Sequence, residues 1–318
     1  MILPASASSP SATNTPTVIL VLGAPGEPEF GSNFVRQIQL WEKACEKGAV
    51  RTIRIGLEES SGPNDHDTLK QALADQPTNS AEPLWLVFIG HGTFDGKEAR
   101  FNLRGPDVSD SELAEWLKPF QRPLIVINSA SASAPFLKTL SGTNRVILTA
   151  TRSGSEINYA RFGDYFALAI ADPQSDLDKD GQVSVLEAFL LASHRVAEFY
   201  KTEGRLATEH ALIDDNGDGL GTPADWFRGV RATRKAKDGA SLDGTCANQL
   251  RLVSSSEEQA LPPEVRARRD ALELEVSKLR VAKPQMAEDE YYRQLEAILL
   301  ELARLQEAQP SVTNHPVR

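Results

Sequence analysis

Two sets of residues in this 318-residue chain have types and spacing that could do chemistry. The first is Asp176-Leu177-Asp178-Lys179-Asp180-Gly181-Gln182-Val183-Ser184-Val185-Leu186-Glu187. Aspartates stand at positions 1, 3 and 5, glycine at 6, an apolar residue at 8 and glutamate at 12, the pattern of an EF-hand calcium loop. Short carboxylates at alternate positions turn their oxygens toward one point, and Gly181 permits the sharp turn. The expected ligands are Asp176, Asp178, Asp180, the backbone carbonyl of Gln182, and both oxygens of Glu187 from the exiting helix. Such oxygen-only sets, about six ligands in all, suit a hard cation. Structural calcium is therefore the expected cofactor. A second loop, Asp214-Asp215-Asn216-Gly217-Asp218-Gly219, puts Asp214, Asn216 and Asp218 at positions 1, 3 and 5 and Asp225 at 12. Gly221 and Pro223 would break its exiting helix, so calcium loop and plain turn both stay open there. Glu209 and His210, just before it, are placed to tie this loop to the core.

The second set is a histidine and a serine-rich loop. The apolar run 84–89 ends in Gly90-His91-Gly92, and the run 123–127 ends in Asn128-Ser129-Ala130-Ser131-Ala132-Ser133. A histidine beside a loop that carries a nucleophile is the layout of a catalytic dyad. No cysteine stands in this loop. A thiolate forms near neutral pH with modest electrostatic help, whereas a serine hydroxyl needs a well-placed base. The serines equally suit a turn that caps the following helix. His91 equally suits a loop held through its ring nitrogens.

The elements that must position these residues are legible as short apolar runs at 17–22, 50–55, 84–89, 124–127 and 145–150. Each is nearly continuously apolar and bounded by Gly, Pro, Asn or Ser, as in strands covered on both faces. Helical segments alternate with them at 30–47, 67–74, 109–117 and 136–140. The first carries Phe34, Ile38, Trp41 and Cys45 on one face, and the third opens with a Ser109 to Glu112 capping box. This alternation implies an α/β fold with a doubly wound parallel sheet and helices on both faces. Sites in such sheets lie beyond the carboxyl ends of the strands, where His91 and the 129–133 loop both fall. Beyond residue 150 the pattern turns helical, at 162–171 and 184–200. After a polar stretch at 236–262 come helices at 264–280 and 288–306, separated at Pro284. Tyr291, Leu295, Ile298, Leu302 and Leu305 repeat at coiled-coil spacing, so the two helices are expected to form a hairpin.

Composition narrows the classes. A net charge of −10 argues against a nucleic-acid binder. The basic run Arg228, Arg231, Arg234, Lys235 and Lys237 reads as a solvated helix face. Cys45 and Cys246 allow one disulfide at most. No apolar stretch is long enough for membrane insertion. The first 16 residues lack the basic start and apolar core of a signal peptide.

On the motifs Gly23-Ala24-Pro25-Gly26, Ile89-Gly90-His91-Gly92-Thr93, Asn128 to Ser133 and Thr149-Ala150-Thr151-Arg152, residues 17–230 resemble the legumain-like, caspase-fold (clan CD) cysteine peptidases. The nearest resemblance is to a bacterial branch in which the nucleophile cysteine is replaced. The resemblance implies a caspase-like sheet, His91 in the histidine place, and the cysteine place at Ala130 or at Ser131. It also places a specificity pocket at Arg152, Ser153 and Glu156. The expectation is a catalytically inactive pseudopeptidase that binds protein or peptide. The alternatives are a hydrolase using a serine of the 129–133 loop with His91, or a calcium-dependent interaction protein acting through the hairpin. The hairpin is also the candidate surface for a homodimer. Calcium favours a periplasmic or secreted setting over the cytoplasm. The expected organisation is a flexible leader at 1–16, a caspase-like domain at 17–235, a linker at 236–262, the coiled-coil hairpin at 263–308 and a disordered tail at 309–318.

Overall fold

Six consecutive apolar or β-branched residues, Thr17–Leu22, form the fully buried first strand β1. The computed structural model describes residues 16–57, 63–237 and 241–307. Two compact units are present, Met1–Val253 and Ser254–Arg318. In the first, β1 is followed by helix α1 (Pro28–Lys47), strand β2 (Arg51–Ile55), helix α2 (Asp65–Ala74) and strand β3 (Leu84–Ile89). A small antiparallel sheet follows, made of β4 (Gly92–Phe94), β5 (Ala99–Phe101) and β6 (Val108–Ser109). Then come α3 (Asp110–Leu117), β7 (Leu124–Asn128), α4 (Ala134–Leu140), β8 (Arg145–Thr149), α5 (Phe162–Ala169) and α6 (Val185–Thr202). Short strands β9 (Leu212–Asp214), β10 (Thr222–Pro223), β11 (Phe227–Arg228) and β12 (Arg231–Ala232) precede helix α7 (Thr245–Gln249).

The main sheet has the order β10-β9-β8-β7-β3-β1-β2. Its five long strands are parallel, with Val18 opposite Trp85, Leu86 opposite Val126 and Ile127 opposite Leu148. β9 and β10 extend it antiparallel. This is the expected doubly wound α/β architecture.

Alternation along the strands divides the core into two layers, as a period of two requires. Val18, Leu20, Trp85, Val87, Ile125 and Ile127 point to one face and pack with α1, α5 and α6. Ile19, Val21, Leu86, Phe88, Leu124 and Val126 point to the other and pack with α2, α3 and α4. Because both faces are covered, the strands are continuously apolar rather than alternating in polarity. Ser109 caps α3 by accepting from the Glu112 N–H at 3.2 Å. The Glu112 carboxylate does not complete the expected box. It meets His66 Nε2 at 3.0 Å instead.

Two expectations are corrected. The stretch 236–262 is not a simple linker, because Asp243, Ala247 and Leu252 are buried in the first unit and carry α7 with them. The basic run does not lie on a helix. Arg228 and Arg231 face each other across the β11–β12 hairpin, where the intervening Gly229 (φ +56°) takes the left-handed turn conformation. Among the described residues no disulfide joins Cys45, on the buried face of α1, to Cys246.

The second unit contains α8 (Ser256–Ala260), α9 (Pro263–Ala282) and α10 (Glu288–Glu307). The last two form an antiparallel pair. Arg268 of α9 makes a bidentate bond to Glu301 of α10 at 2.7 and 2.8 Å, and Lys283 lies over the Tyr291 ring at 4.7 Å. Leu272, Val276, Leu279 and Tyr291 are buried. No helix among the described residues is long and apolar enough to cross a membrane. Apart from Pro16, the expected leader lies outside the described residues, as does the expected tail.

Candidate functional site

β3 and β7 are parallel neighbours, so the loops leaving their carboxyl ends must meet. They meet closely. A Cβ on Gly92 would lie 2.4 Å from the Ser131 carbonyl oxygen and 3.4 Å from the Ala130 methyl. Only glycine fits there. The sheet thus brings His91, Ala130 and Ser131 into one neighbourhood.

The surroundings of each group set what it can do. The His91 ring is enclosed by Phe30 and Phe34, both edge-on at 4.9 and 5.1 Å, with Tyr159 at 6.4 Å. Burial pushes its pKa below the ordinary histidine value, and a hydrogen bond to the Pro25 backbone opposes this in part. The neutral form of the ring is therefore favoured. Tyr159 donates to Asp164 at 2.7 Å, and Asp164 also takes hydrogen bonds from Arg36 and Gln37 at 2.8 and 3.2 Å. Burial and the neighbouring Asp164 carboxylate push the Tyr159 phenol up. Tyr159 is fixed there as a wall of the histidine's enclosure.

The three loop hydroxyls are committed to their neighbours. Ser131 Oγ donates to the Gly92 carbonyl at 3.0 Å and accepts from the Gly92 N–H at 3.2 Å. Ser129 Oγ donates to the Phe88 carbonyl at 2.6 Å. Ser133 Oγ accepts from the Ala150 N–H at 3.1 Å and lies 3.2 Å from Thr151 Oγ1. All three serines are at most 6% exposed. Ala130 is buried in the core layer on the α2–α4 face of the sheet. Among the described residues, no hydrogen bond joins His91 to any of these serines. Ser133 is also the N-cap residue of α4, yet its hydroxyl makes no cap bond. The loop is pinned by β3 and β8, not by capping.

At the rim, Glu156 gathers the Arg152 N–H at 3.0 Å, the Arg152 guanidinium at 3.4 Å and His210 Nδ1 at 2.6 Å. Ser153 Oγ faces Ser155 Oγ at 2.8 Å. Glu156 is thus turned to internal partners, while the Arg152 side chain is exposed. Sequence reasoning missed Tyr159 and Asp164, the latter also held by Arg36 and Gln37 through the packing of α1 against α5. It did locate Glu209. Both Glu209 oxygens accept from the Arg161 N–H, at 2.9 and 2.8 Å, and one also accepts from the Phe162 N–H at 2.9 Å. That carboxylate caps α5 from a distant part of the chain.

The two acidic loops share one backbone. In each, position 1 accepts from the N–H of position 6, position 3 from position 5, and position 5 from position 7. The distances are 3.1, 3.2 and 2.8 Å in the first loop and 3.0, 2.8 and 2.8 Å in the second. Positions 4 and 6 have positive φ in both loops, at Lys179 and Gly181 and at Gly217 and Gly219. Side-chain oxygens of Asp176, Asp178 and Glu187 lie within 4.8 Å of one another. Asp176 Oδ1 is buried with no hydrogen-bond partner. An all-oxygen set with an orphaned buried acceptor fits a hard cation. Glu187 spends its oxygens on the N–H groups of Leu177, Asp178 and Ser184. Asp180 Oδ2 is held by Arg251 at 2.7 Å. In the second loop, both Asp214 oxygens are engaged by N–H groups of the loop itself. Asp225 sits exposed in the short turn Ala224–Trp226, because Pro223 opens a turn rather than a helix.

A single stretch, 241–252, touches both loops. Arg251 reaches Asp180, and Asn248 Oδ1 accepts from the Ser184 hydroxyl at 3.1 Å. Asp243 accepts from the N–H groups of Asp215 and Asn216 at 3.0 and 3.2 Å. In return Asp215 accepts from Gly244 and Ala247, both at 2.8 Å. This is the polar function of the residues taken as a linker, and a polar stretch without an apolar period gave no sign of it.

The fold and this edge define the class: an open, mostly parallel α/β sheet with a histidine loop and a serine loop abutting at the strands' carboxyl ends. No family model and no curated protein matches the sequence. Solved structures similar to it include the Drosophila initiator caspase Dronc, at 12% identity over 64% of this chain and 81% of that chain, with a TM-score of 0.38. Caspase-1 from Spodoptera frugiperda is similar at 8% identity over 67% of this chain and 93% of that one, with a TM-score of 0.39.

Proposed function

We propose that this chain is a caspase-like (legumain-like) pseudopeptidase, a scaffold that binds protein or peptide and does not cleave it. The observation that carries the reading is the commitment of Ser131. Its hydroxyl both donates to and accepts from the backbone of Gly92, and the residue before it in the loop is Ala130, with no thiol. A nucleophilic serine needs its base to take its proton, and the His91 ring is walled by aromatic rings. The test is intact-mass labelling with a serine-reactive phosphonate and a thiol-reactive ketone, on wild type and His91→Ala. No adduct is expected in the 129–133 loop. An adduct there that disappears in His91→Ala would establish a serine hydrolase and overturn the reading.

The same proposal includes structural calcium in loop 176–187 and a periplasmic or secreted setting, where calcium is plentiful. The support is the orphaned Asp176 oxygen and the convergence on Asp178 and Glu187. A ligand that binds only the folded state at a hundred times its Kd adds about 2.7 kcal/mol of stability, so calcium should raise the melting temperature. Asp176→Asn should lose that rise. Arg251→Ala frees a position-5 carboxylate from its tethered cation and should tighten calcium about fivefold in titration calorimetry, as for a partly exposed ion pair of about 1 kcal/mol. An equal melting temperature in calcium and in chelator would remove calcium from the proposal.

A further inference from the structure

Helix α10 has two apolar stripes, and its pairing with α9 uses one. Tyr291, Leu295, Ile298, Leu302 and Leu305 are its more buried apolar residues. A turn takes 3.6 residues, which sets Tyr292, Leu299 and Ala303 on a second line, with Glu296 and Leu300 beside it. Tyr292, Leu299 and Leu300 are 50, 48 and 49% exposed. With Leu295 and Glu296 they line a groove of about 440 Å³ on this one helix. Three large apolar side chains half in water along about two turns are what an interface core looks like before its partner arrives.

The charges beside this stripe say which partner fits. Glu296 and Arg304 stand four residues before and after Leu300, and Arg293 and Glu307 stand seven residues before and after it. Both pairs therefore have opposite sign about one centre. In an antiparallel pair related by a two-fold axis at Leu300, Glu296 meets the partner's Arg304 and Arg293 meets the partner's Glu307. A two-fold interface must be self-complementary in this way, and a foreign partner imposes no such symmetry. Among the described residues, Glu296, Arg304 and Glu307 form no ion pair within the chain. Arg293 reaches Glu290 on its own exposed turn. Glu301 is already taken by Arg268 on the α9 side. Ala303 lets the two helices approach closely on the line of the stripe.

We infer that this protein forms a two-fold dimer in which α10 lies antiparallel on α10 of a second copy, centred on Leu300. The inference does not rest on the pseudopeptidase or calcium readings, and its experiment reads neither labelling nor ion binding. Sedimentation equilibrium of the full chain over a wide concentration range should give the mass of two chains, with or without chelator. Leu300→Glu should give the mass of one chain with unchanged far-ultraviolet circular dichroism, since Leu300 lies off the α9 seam. Glu296→Arg should weaken the dimer about tenfold by facing two like charges, and adding Arg304→Glu should restore it. A single-chain mass for wild type at every concentration would overturn the inference. So would a dimer that survives Leu300→Glu, or a charge reversal that Arg304→Glu fails to rescue.

Discussion

Glu209→Ala should cost the first unit about 3–5 kcal/mol, the loss expected when a buried carboxylate is removed from fixed donors. Helix α5 starts at Phe162 with no side-chain cap of its own. Glu209, 2% exposed, supplies one by accepting from the Arg161 and Phe162 N–H groups and from the Tyr200 hydroxyl at 3.1 Å. Burial raises its pKa, and these bonds to the charged form pull it back down. Alanine would leave buried donors unpaired beside the positive end of a helix. The damage would spread toward the candidate site. Gly163, in the first turn of α5, lies so close to Ser129 that a Cβ there would stand 2.6 Å from the serine Cβ. Glu209→Gln keeps one acceptor and brings an NH2 against N–H donors, so it should lose roughly half as much. Urea unfolding followed by circular dichroism measures both variants. An alanine variant within about 1 kcal/mol of wild type would mean that water replaces the carboxylate and that the cap is dispensable.

The strands that hold the site were readable because their burial is two-sided. Leu84–Ile89 and Leu124–Asn128 are apolar at nearly every position, a pattern a solvent-facing strand does not produce. β9 and β10 were not readable. Three and two residues long, one ending in Asp214 and the other in Pro223, they carry no measurable period. They join the sheet because β8 offers an edge, which is a tertiary cause. The small sheet after His91 hides for a similar reason: its strands have two or three residues, and Arg100 stands in the middle one. The fate of the serines shows a different limit. Sequence places three hydroxyls at the right edge, but whether they face a base or a backbone carbonyl depends on how closely two loops pack. Gly92 is the residue that sets this. Its missing side chain reads in sequence as a turn, and in the structure it is the floor on which Ser131 rests. The backbone of the acidic loops was legible, because a loop whose Asp and Asn side chains accept from N–H groups two to five residues on is specified locally. What could not be read was their common support on residues 241–252, which is made of buried polar bonds and not of an apolar pattern.

That support predicts an unusual dependence of stability on pH. Asp215 and Asp243 are buried together, with Asp214 alongside. Burial, then the charge of Asp215, pushes Asp243 up to about 8, and burial raises Asp215 as well. The folded protein therefore keeps a proton on this pair that the unfolded chain releases near the ordinary carboxylate value of about 4. With fewer protons bound in the unfolded state, stability is greatest at low pH and falls as pH rises through the folded value, by up to about 1.4 kcal/mol per pH unit for one proton. His91 acts in the opposite sense. Its lowered pKa gives stability that is lost as pH falls through the acid range. The interval from about pH 7 to pH 9 thus separates the acid pair from most of the His91 contribution, and comparison with Asp243→Asn separates it from His66 and Cys45, whose pKa values are also raised. In chelator, the melting temperature should fall across that interval. Asp243→Asn removes the charge and keeps the bonds: its carbonyl oxygen can accept from the Asp215 and Asn216 N–H groups, and its amide can donate to Thr222 Oγ1, which now donates to Asp243 at 2.5 Å. This variant should flatten the profile and melt above wild type at the alkaline end. A wild-type profile already flat in this interval would mean that both carboxylates ionise in the fold, and that their N–H and O–H donors outweigh burial and mutual repulsion.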